Sequence, residues 1–342
     1  MSSAPPDGQI VAHAARLLRA GKLVAFPTET VYGLGADADN VEAVGAIFAA
    51  KGRPSEHPVI VHVRNIAAAQ AWAGAFAPQA RALAESFWPG PLTLVVSRAP
   101  RAHDAVTGGQ SSVGLRCPSH PWARALLDEL CRQTGDLARA IAAPSANRFG
   151  RISPTRAEHV RADLGEKPDG AVDLIVDGGP CTLGIESAIV DCTGPVPRLL
   201  RPGSIERDRI ETALGRPLEV PSLEDGDVPR APGRATRHYS PRRPLEFVNG
   251  AHLPARVREL GAKRVAVLAS IPRLAEVQWW WVAPESPHEF ARQLYDLLHQ
   301  MDASGADRLL VQRPPAGPAW AALNDRLERA AQPPQDRFGD AD

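Results

Sequence analysis

Short apolar runs alternate with amphipathic stretches along the first two hundred residues of this chain, and no other feature constrains its fold as strongly. The apolar runs are typical of buried strands and lie at 23–26, 59–63, 92–96, 113–115, 141–143, 174–176 and 188–190. The amphipathic stretches have helical spacing of apolar residues and lie at 41–50, 78–87, 122–134 and 155–164. Because the strands are not spaced as regular βαβ repeats, we predict an α/β domain with a twisted mixed sheet rather than a doubly wound parallel one.

A segment rich in proline, glycine and charge, at 215–243, interrupts this pattern and is typical of a long connection. The pattern then restarts, with strand-like runs at 245–248, 264–268 and 308–311 and helix-like stretches at 253–260, 288–301 and 319–330. A length of 342 residues also favours two domains over one. We predict a main domain at 1–214, a linker at 215–244, a smaller α/β domain at 245–335 and a tail at 336–342.

The chain has 39 lysines and arginines and 39 aspartates and glutamates. This balance argues against a globally basic protein that binds nucleic acid non-specifically. Residues 1–9 lack the basic-then-apolar pattern of a secretory signal, and no run approaches the roughly 20 apolar residues of a membrane span. The four cysteines, Cys117, Cys131, Cys181 and Cys192, form no C-x-x-C pair and have no histidine at zinc spacing, so we interpret them as reduced thiols. We expect a cytoplasmic protein with no membrane partner.

Polar residues follow the first predicted strand, in the segment Pro-Thr-Glu-Thr-Val-Tyr-Gly-Leu-Gly at 27–35. Gly33 and Gly35 allow a ligand to approach the backbone closely, and polar loops at strand ends are common ligand sites. A capped turn into the next helix, in which the threonines and the glutamate bond backbone donors, explains the same residues. The segment alone leaves both interpretations open.

Two cations, Lys51 and Arg53, close an apolar helix in the segment Lys-Gly-Arg-Pro-Ser-Glu-His-Pro at 51–58. Cations at a helix C-terminus are favoured by the helix dipole without any function. However, Pro54 and Pro58 stiffen the loop, and rigidly presented cations suit a polyphosphate.

Further segments place serine, asparagine or arginine beside apolar strands: Ser-Ser-Val-Gly-Leu-Arg at 111–116, Ala-Pro-Ser-Ala-Asn at 143–147, Gly-Ile-Glu-Ser at 184–187 and Leu-Arg-Pro-Gly at 200–203. Their side chains can hydrogen-bond to phosphate, ribose or a base, although Ser153 can equally cap the helix expected from residue 155. The sequence contains no Walker A loop, Rossmann glycine fingerprint or nucleophile elbow. We therefore expect an ATP site assembled from scattered loops of the main domain.

Taken in order, these segments resemble the YrdC-like family, in the long two-domain form of its threonylcarbamoyl-AMP synthases. The resemblance rests on Pro-Thr-Glu-Thr-Val-Tyr-Gly-Leu-Gly, Lys-Gly-Arg-Pro, Trp-Pro-Gly-Pro-Leu-Thr at 88–93, Arg116 with Cys-Pro-Ser-His-Pro after it, Pro-Ser-Ala-Asn and Leu-Arg-Pro-Gly-Ser. It implies an α/β fold of YrdC-like type, a twisted mixed sheet with flanking helices, and a smaller Rossmann-like α/β C-terminal domain.

The resemblance also implies a reaction. L-threonine and bicarbonate or CO2 give a threonine carbamate, which attacks the α-phosphate of ATP and releases diphosphate, leaving threonylcarbamoyl-AMP. A separate tRNA threonylcarbamoyl transferase uses this product to modify tRNA, and direct contact of this chain with tRNA is left open. Mg²⁺ is expected with the phosphates but without a dedicated protein cage, so no metal-ligating residue is named.

The family's site residues carry over by motif. Lys51 and Arg53 are expected to be catalytic, because fixed positive charge stabilises a transferring phosphoryl group. The implied L-threonine site comprises Thr30, His62, Arg116, the backbone at Ala143, and Ser187. The implied ATP site comprises Arg53, His57, Ser112, Ser145, Asn147, Ser153, Arg201 and, from the linker, Tyr239.

Two positions depart from the family's pattern. His57 stands where asparagine is more common, which keeps a hydrogen-bonding side chain and adds a titratable one. The family's linker resembles Pro-Gly-Met-Lys-Tyr followed by His-Tyr-Ala-Pro, whereas this chain has Pro-Gly-Arg-Ala-Thr-Arg-His-Tyr-Ser-Pro at 232–241. The lysine and the first aromatic residue are lost, so the expected lid-like closure of the linker rests on the remaining His-Tyr pair.

Two other functions are to be distinguished from this one. A non-catalytic module that binds double-stranded RNA or tRNA is disfavoured by the neutral net charge and the aromatic content of 5%. A carbamoyl transferase of the hydrogenase-maturation type uses a related domain, but it predicts zinc-finger cysteine pairs and extra N-terminal domains that this sequence does not contain.

Overall fold

The computed structural model describes residues 5–222, 228–233 and 238–331. These residues divide into two compact units. Unit 1 holds the described residues up to Phe149 and from Ser153 to Gly233, and unit 2 holds Gly150–Ile152 and the described residues from His238 onward. Within these ranges no helix is long and apolar enough to cross a membrane.

Unit 1 is built on a mixed sheet flanked by helices. Its helices are α1 (Gly8–Arg19), α2 (Val41–Lys51), α3 (Ile66–Gln70), α4 (Pro78–Phe87), α5 (Asp104–Thr107), α6 (Pro121–Thr134), α7 (Ala157–Asp163) and α8 (Arg207–Leu214). Its strands are β1 (Val24–Phe26), β2 (Gly33–Asp37), β3 (Ile60–His62), β4 (Ala73–Ala75), β5 (Leu92–Arg98), β6 (Ser112–Arg116), β7 (Ile141–Ala142), β8 (Leu174–Ile175), β9 (Ala188–Asp191) and β10 (Arg198–Arg201).

The strand order of this sheet, over the described residues, is β10-β9-β5-β6-β3-β7-β2-β1-β8, with β4 paired to β5. The pairs β1–β8, β3–β6 and β5–β9 are parallel, and the other pairs are antiparallel. The prediction of a mixed sheet is therefore confirmed.

The two faces of the sheet are buried by different helices. Helices α1 and α6 pack on one face, against Val24, Phe26 and Ile141. Residues of α2 and α4 belong to the core on the other face, which includes Leu94 and Leu115. Because side chains alternate along a strand, the neighbours of these leucines along β5 and β6, such as Val95 and Gly114, point to the face of α1 and α6.

Local signals set the ends of α2, which carries the first predicted cation. The side chain of Asn40 accepts the backbone N–H of Ala43 at the start of the helix. Gly52 ends the helix with φ of 60°, a left-handed conformation that glycine adopts without a Cβ penalty. This ending leaves Lys51 in the last turn and Arg53 just beyond it.

Unit 2 is a smaller α/β fold. It contains α9 (Leu253–Leu260), α10 (Pro287–Asp302) and α11 (Ala321–Ala330), with β11 (Leu245–Val248), β12 (Val265–Ala269), β13 (Trp279–Val282) and β14 (Arg308–Gln312). All four strands are parallel, in the order β11-β14-β12-β13. Leu253 and Val257 of α9 pack on one face of this sheet, against Val265 and Val267. The prediction of a small second α/β domain is confirmed.

The structure also contains helices and strands that the sequence analysis did not predict: α1, α3, α5, α8, β2, β4, β10 and β13. Strand β2 changes the interpretation of the polar segment at 27–35. Phe26 of β1 pairs with Gly33 of β2 in antiparallel register, so the polar segment at 27–32 joins two strands instead of leading directly into a helix.

Candidate functional site

A gap in the cover of the unit 1 sheet marks the candidate site. Gly114 lies in the middle of the central strand β6, yet it is partly exposed while its neighbours Val113 and Leu115 are buried. On the face of Gly114, α1 and α6 cover β1 and β7, and Val228 and Ala231 cover β5, β9 and β10. The area formed by β3 and β6 lies between these two covers, and Gly114 is partly exposed there while His62 and Arg116 beside it are buried.

Two predicted threonine-binding residues lie side by side on the face of Gly114. His62 and Arg116 pair in register at the ends of parallel strands β3 and β6. Arg116 Nη1 donates to Thr30 Oγ1 at 2.9 Å, and Arg116 Nη2 donates to Glu29 Oε1 at 2.6 Å. Arg116 Nε is buried and has no hydrogen-bond partner among the described residues. A guanidinium with an unused donor beside a hydroxyl group suits a carboxylate ligand.

His62 is a buried neutral imidazole. Burial lowers the pKa of His62 to about 3, and the positive charge of Arg116 acts in the same direction, while Glu29 opposes it. The His62 ring meets the Phe26 ring edge-on, with 6.5 Å between centroids, and its Nδ1 bonds no described atom. A neutral ring can donate or accept a hydrogen bond from a ligand without adding charge to the site.

Ser187, predicted to bind threonine, lies next to Arg201, predicted to bind ATP. Arg201 Nη2 donates to the Ser187 carbonyl oxygen at 2.9 Å and to its hydroxyl at 3.3 Å. The Ser187 hydroxyl also lies 2.8 Å from Thr93 Oγ1. Arg201 Nη1 donates to the Pro232 carbonyl oxygen at 2.9 Å. The two predicted half-sites therefore meet at this serine and arginine.

Lys51 joins α2 to the Pro-Ser-Ala-Asn loop. Its ammonium donates to the carbonyl oxygen of Ser145 at 2.5 Å and to that of Asn147. Burial lowers the pKa of Lys51 well below its ordinary value, the charge of Arg53 lowers it further, and Asp163 opposes both. Lys51 therefore holds the loop that carries two of the predicted ATP ligands.

Arg53 and His57 meet at Phe149. Arg53 Cζ lies 5.5 Å from the centroid of the Phe149 ring, and the His57 ring lies 5.2 Å from it. Arg53 Nη2 donates to the Pro58 carbonyl oxygen at 3.0 Å. Burial lowers the pKa of His57, and the positive charge of Arg53 lowers it as well. The Lys-Gly-Arg-Pro loop thus presents fixed cations beside the Pro-Ser-Ala-Asn loop.

The other predicted residues of unit 1 lie on the same strands and loops. Ser112 is buried at the start of β6, on the face of Gly114. The backbone N–H of Ala143 donates to Ile60 at 3.0 Å. Ser153 Oγ donates to Glu186 Oε1 at 2.5 Å.

Residues 228–233, which we call the strap, are held on unit 1 by a glutamine. The Arg230 N–H donates to Gln110 Oε1 at 2.6 Å, and Gln110 Nε2 donates to the Arg230 carbonyl oxygen at 3.2 Å. The Arg230 guanidinium also donates to the carbonyl oxygen of Gly108 at 2.7 Å. Together with the packing of Ala231 on β5, β9 and β10, these bonds fix the position of the strap on unit 1.

Tyr239, the remaining predicted ATP ligand, belongs to unit 2. It is 1% exposed and has φ of 63°. Its ring centroid lies 5.6 Å from that of Tyr295, and Arg326 Cζ lies 5.3 Å from it. Its predicted contact with ATP stays a prediction. The altered linker positions 234–237 lie outside the described residues.

Known proteins are similar to this chain over nearly its whole length. Residues 16–203 match the family model described as telomere recombination, and residues 205–332 match the model of the threonylcarbamoyl-AMP synthase C-terminal domain. The threonylcarbamoyl-AMP synthase of Bacillus subtilis (strain 168) is 40% identical over 334 residues, covering 94% of this chain and 92% of its own. That of Pyrococcus abyssi (strain GE5 / Orsay) is 38% identical over 329 residues, covering 93% of each chain.

The chain belongs to the threonylcarbamoyl-AMP synthase family. The crystal structure of P. abyssi Sua5 complexed with L-threonine agrees with this assignment, with a TM-score of 0.85 at 36% identity over 96% of both chains. The resemblance stated from the sequence motifs is thereby confirmed, and so is the fold class that it implied.

Membership of the threonylcarbamoyl-AMP synthase family does not assign every residue that the structure places at the site. The sequence analysis missed Glu29, which bonds Arg116, and Thr93, which bonds Ser187. Both stand inside motifs that carried the resemblance, Pro-Thr-Glu-Thr and Trp-Pro-Gly-Pro-Leu-Thr. Their place inside these motifs is the sequence signal for Glu29 and Thr93. Which side chains they bond depends on the strand order of the sheet, which the motifs do not show.

Proposed function

We propose that this protein is an L-threonylcarbamoyladenylate synthase, a nucleotidyltransferase that converts L-threonine, bicarbonate or CO2, and ATP into threonylcarbamoyl-AMP and diphosphate. The observation that carries the proposal is the pairing of Arg116 with Thr30 on the face of Gly114, in a unit that also holds the fixed cations Arg53 and Arg201. The family membership of the whole chain supports the same activity.

In the threonine half of the site, Arg116 binds the substrate carboxylate. Its unused Nε–H offers a donor to an amino-acid carboxylate, and the Thr30 hydroxyl oxygen holds the guanidinium in place by accepting from Nη1. Neutral His62 and the Ser187 hydroxyl complete what we call the threonine pocket, namely Thr30, His62, Arg116 and Ser187. Because the pocket holds threonine by its carboxylate, the amino group stays available to form the carbamate that reacts with ATP.

In the nucleotide half, positioning and fixed charge supply the catalysis. The carbamate oxygen must lie in line with the α-phosphorus and the leaving diphosphate, and negative charge must be balanced as it moves to the leaving group. Arg53 and Arg201 are held by backbone carbonyl oxygens. Lys51 holds the loop that carries Ser145 and Asn147. Because these groups are already ordered, they reorganise little during the reaction.

Mg²⁺ would accompany ATP as the counter-ion of its phosphates. Among the described residues, no group of three or more His, Cys, Asp or Glu side chains offers it a cage, and the candidate nucleotide half is lined by cations. We therefore assign no residue and no step to the metal. We propose that the product passes to a tRNA threonylcarbamoyl transferase in the cytoplasm, where ATP, threonine and tRNA are available together.

Diphosphate release from the purified protein tests the proposal. The protein is incubated with ATP and bicarbonate, and each amino acid is added in turn. Release that depends on L-threonine and on bicarbonate supports the synthase. Release that is independent of threonine, or none, would reject it and favour a binding module instead.

A further inference from the structure

Thr93 has no role in the activity proposed above, yet it lies on the face of the candidate site. It is buried in β5, and its methyl carbon Cγ2 lies 3.6 Å from the place that a Cβ on Gly114 would take. Thr93 stands two residues before Val95, which pairs with Gly114, so the alternation of side chains puts Thr93 on the face of Gly114. Thr93 therefore shares this face with His62 and Arg116.

The Thr93 hydroxyl bonds a residue of the threonine pocket. Thr93 Oγ1 lies 2.8 Å from Ser187 Oγ, and the described part of the chain offers Thr93 Oγ1 no second hydrogen-bond partner. Ser187 Oγ also accepts from Arg201 Nη2 at 3.3 Å. Thr93 and Ser187 are 0% and 1% exposed, so bulk water does not compete for their hydroxyl groups. The donors and acceptors of this small group must be satisfied by one another and by a ligand.

The number of donors and acceptors favours one direction for the bond between Thr93 and Ser187. A hydroxyl has one O–H donor and two acceptor lone pairs, and a guanidinium can only donate, so Arg201 occupies one acceptor of Ser187 Oγ. If Thr93 donates to Ser187, the second acceptor is occupied as well, and the Ser187 O–H is left for a ligand. If Ser187 donates instead, the buried Thr93 O–H has no acceptor among the residues that the structure describes, and a donor left unpaired in this way is costly.

The backbone at Ser187 is fixed by bonds that do not involve its hydroxyl. Arg201 Nε and Nη2 both donate to the Ser187 carbonyl oxygen, at 3.1 and 2.9 Å. The next residue, Ala188, pairs with Leu92 in parallel register, and its N–H donates to the Pro91 carbonyl oxygen at 3.1 Å. The freedom that remains at Ser187 is therefore the orientation of its hydroxyl, and the bond to Thr93 restrains it.

We propose that Thr93 is a positioning residue: its hydroxyl donates to Ser187 Oγ and so directs the Ser187 O–H toward the amino acid in the threonine pocket. The inference rests on the proposed function, since it concerns the ligand of that pocket. A hydroxyl that is directed before binding loses less conformational freedom when the ligand arrives. The directed donor serves threonine and its carbamate alike, because both carry carboxylate oxygens that accept hydrogen bonds.

A double-mutant cycle of Thr93 and Ser187 tests the inference, with the Kd for L-threonine measured by calorimetry without ATP. Thr93→Val, which nearly keeps the side-chain shape and removes the hydroxyl, should weaken threonine binding by about fivefold or more. Thr93→Ser, which keeps the hydroxyl, should bind within about twofold of the unmodified chain. Ser187→Ala removes the directed donor and should weaken binding by about tenfold. On the Ser187→Ala background, Thr93→Val should add less than about twofold, because no hydroxyl is left to direct.

Two further measurements separate this role from a merely structural one. Thr134→Val is the matched control, because it removes a half-buried hydroxyl that bonds Leu130 and Cys131 at the end of α6. It should leave the Kd for threonine unchanged. In Thr93→Val the KM for ATP should change by less than about threefold, because Arg201 keeps its two bonds to the Ser187 carbonyl oxygen.

An unaltered Kd for threonine in folded Thr93→Val overturns the inference. A loss that persists in full on the Ser187→Ala background overturns it too, since Thr93 would then act through packing and not through Ser187. If Thr93→Val does not fold, Ser187→Ala decides: weaker threonine binding supports a directed donor, and an unchanged Kd shows that there is none. Failure of the unmodified chain to bind L-threonine at all rejects the proposed function itself.

Discussion

Lys51 bonds the loop at 145–147, and the sequence motif predicts that its charge also contributes to catalysis. We expect Lys51→Met to lower threonine-dependent diphosphate release by about 100-fold or more, since loss of one preorganised electrostatic donor typically costs that much. Lys22→Met, which removes an exposed lysine, should release diphosphate at the unmodified rate. Unchanged release in folded Lys51→Met would contradict the charge-balancing role that the sequence motif implies.

His62 should make unit 1 sensitive to acid. The unfolded chain protonates this histidine near pH 6.5, whereas burial holds the folded pKa at about 3. Between these values the unfolded state binds a proton that the folded state does not. The stability that depends on neutral His62 is therefore complete above pH 6.5 and is lost as pH falls toward 3, at up to about 1.4 kcal/mol per pH unit.

Hydrogen exchange of the slowest amides of β3 and β6 measures this effect, because those amides report the unfolding of unit 1. Over pH 4 to 6, His62→Gln should show a smaller dependence of stability on pH, by about one bound proton. His13→Gln, at an exposed position, should behave like the unmodified chain. Identical pH slopes in His62→Gln and the unmodified chain would show that the ring is not held neutral.

The strap is held on unit 1 by a small set of hydrogen bonds and by apolar packing. Gln110 makes two hydrogen bonds with the backbone of Arg230, each contributing about 1 kcal/mol. We therefore expect Gln110→Ala to speed tryptic cleavage after Arg230 by roughly tenfold or more, measured by mass spectrometry of the fragments. Gln79→Ala removes a comparable bond, from Gln79 Nε2 to Gly194, and should leave this cleavage rate unchanged. Equal cleavage in both variants would mean that the Gln110 hydrogen bonds do not hold the strap.

Elements differ in how far the sequence determines them. Strands β1, β3 and β5 follow from apolar runs, and α2 follows from its spacing and its glycine end. The spacing of Val11, Ala14 and Leu18 also indicates a helix at α1. Strand β2, by contrast, reads Gly-Leu-Gly-Ala-Asp, a composition depleted in strand formers. Its conformation depends on pairing with β1 and β7, which no local pattern shows.

The candidate site likewise combines features that local sequence predicts with features that depend on the sheet. The motifs predict polar loops at strand ends, and the loops bearing Lys51 and Ser145 do lie in contact. That His62 and Arg116 share one face beside Gly114 depends on the parallel register of β3 and β6. These strands are more than 50 residues apart in the chain, so the face is a property of the sheet rather than of any segment.

At the scale of the whole molecule, the chain crosses between the units at a segment that lies between two residues predicted to bind ATP. Gly150–Ile152 belong to unit 2, where the Ser240 N–H donates to Gly150 at 2.8 Å and Arg151 Nη1 donates to Pro241 at 3.3 Å. The residues on either side of this segment, Asn147 and Ser153, are both predicted to bind ATP. The hydrogen bonds of Arg116 with Thr30 and Glu29 lie wholly inside unit 1.

A chain truncated after Arg243 should therefore lose ATP binding more than threonine binding. Truncation removes Tyr295 and Arg326, which pack on Tyr239, and so loosens the segment around Ser240 that holds Gly150. We expect the KM for ATP to rise by about tenfold or more, while the Kd for L-threonine changes by less than about threefold. The full-length variant Tyr295→Leu, which removes one of these rings, should give an intermediate KM. Equal losses for both ligands, with unit 1 still folded by hydrogen exchange, would show that unit 2 supports the whole site rather than its nucleotide half.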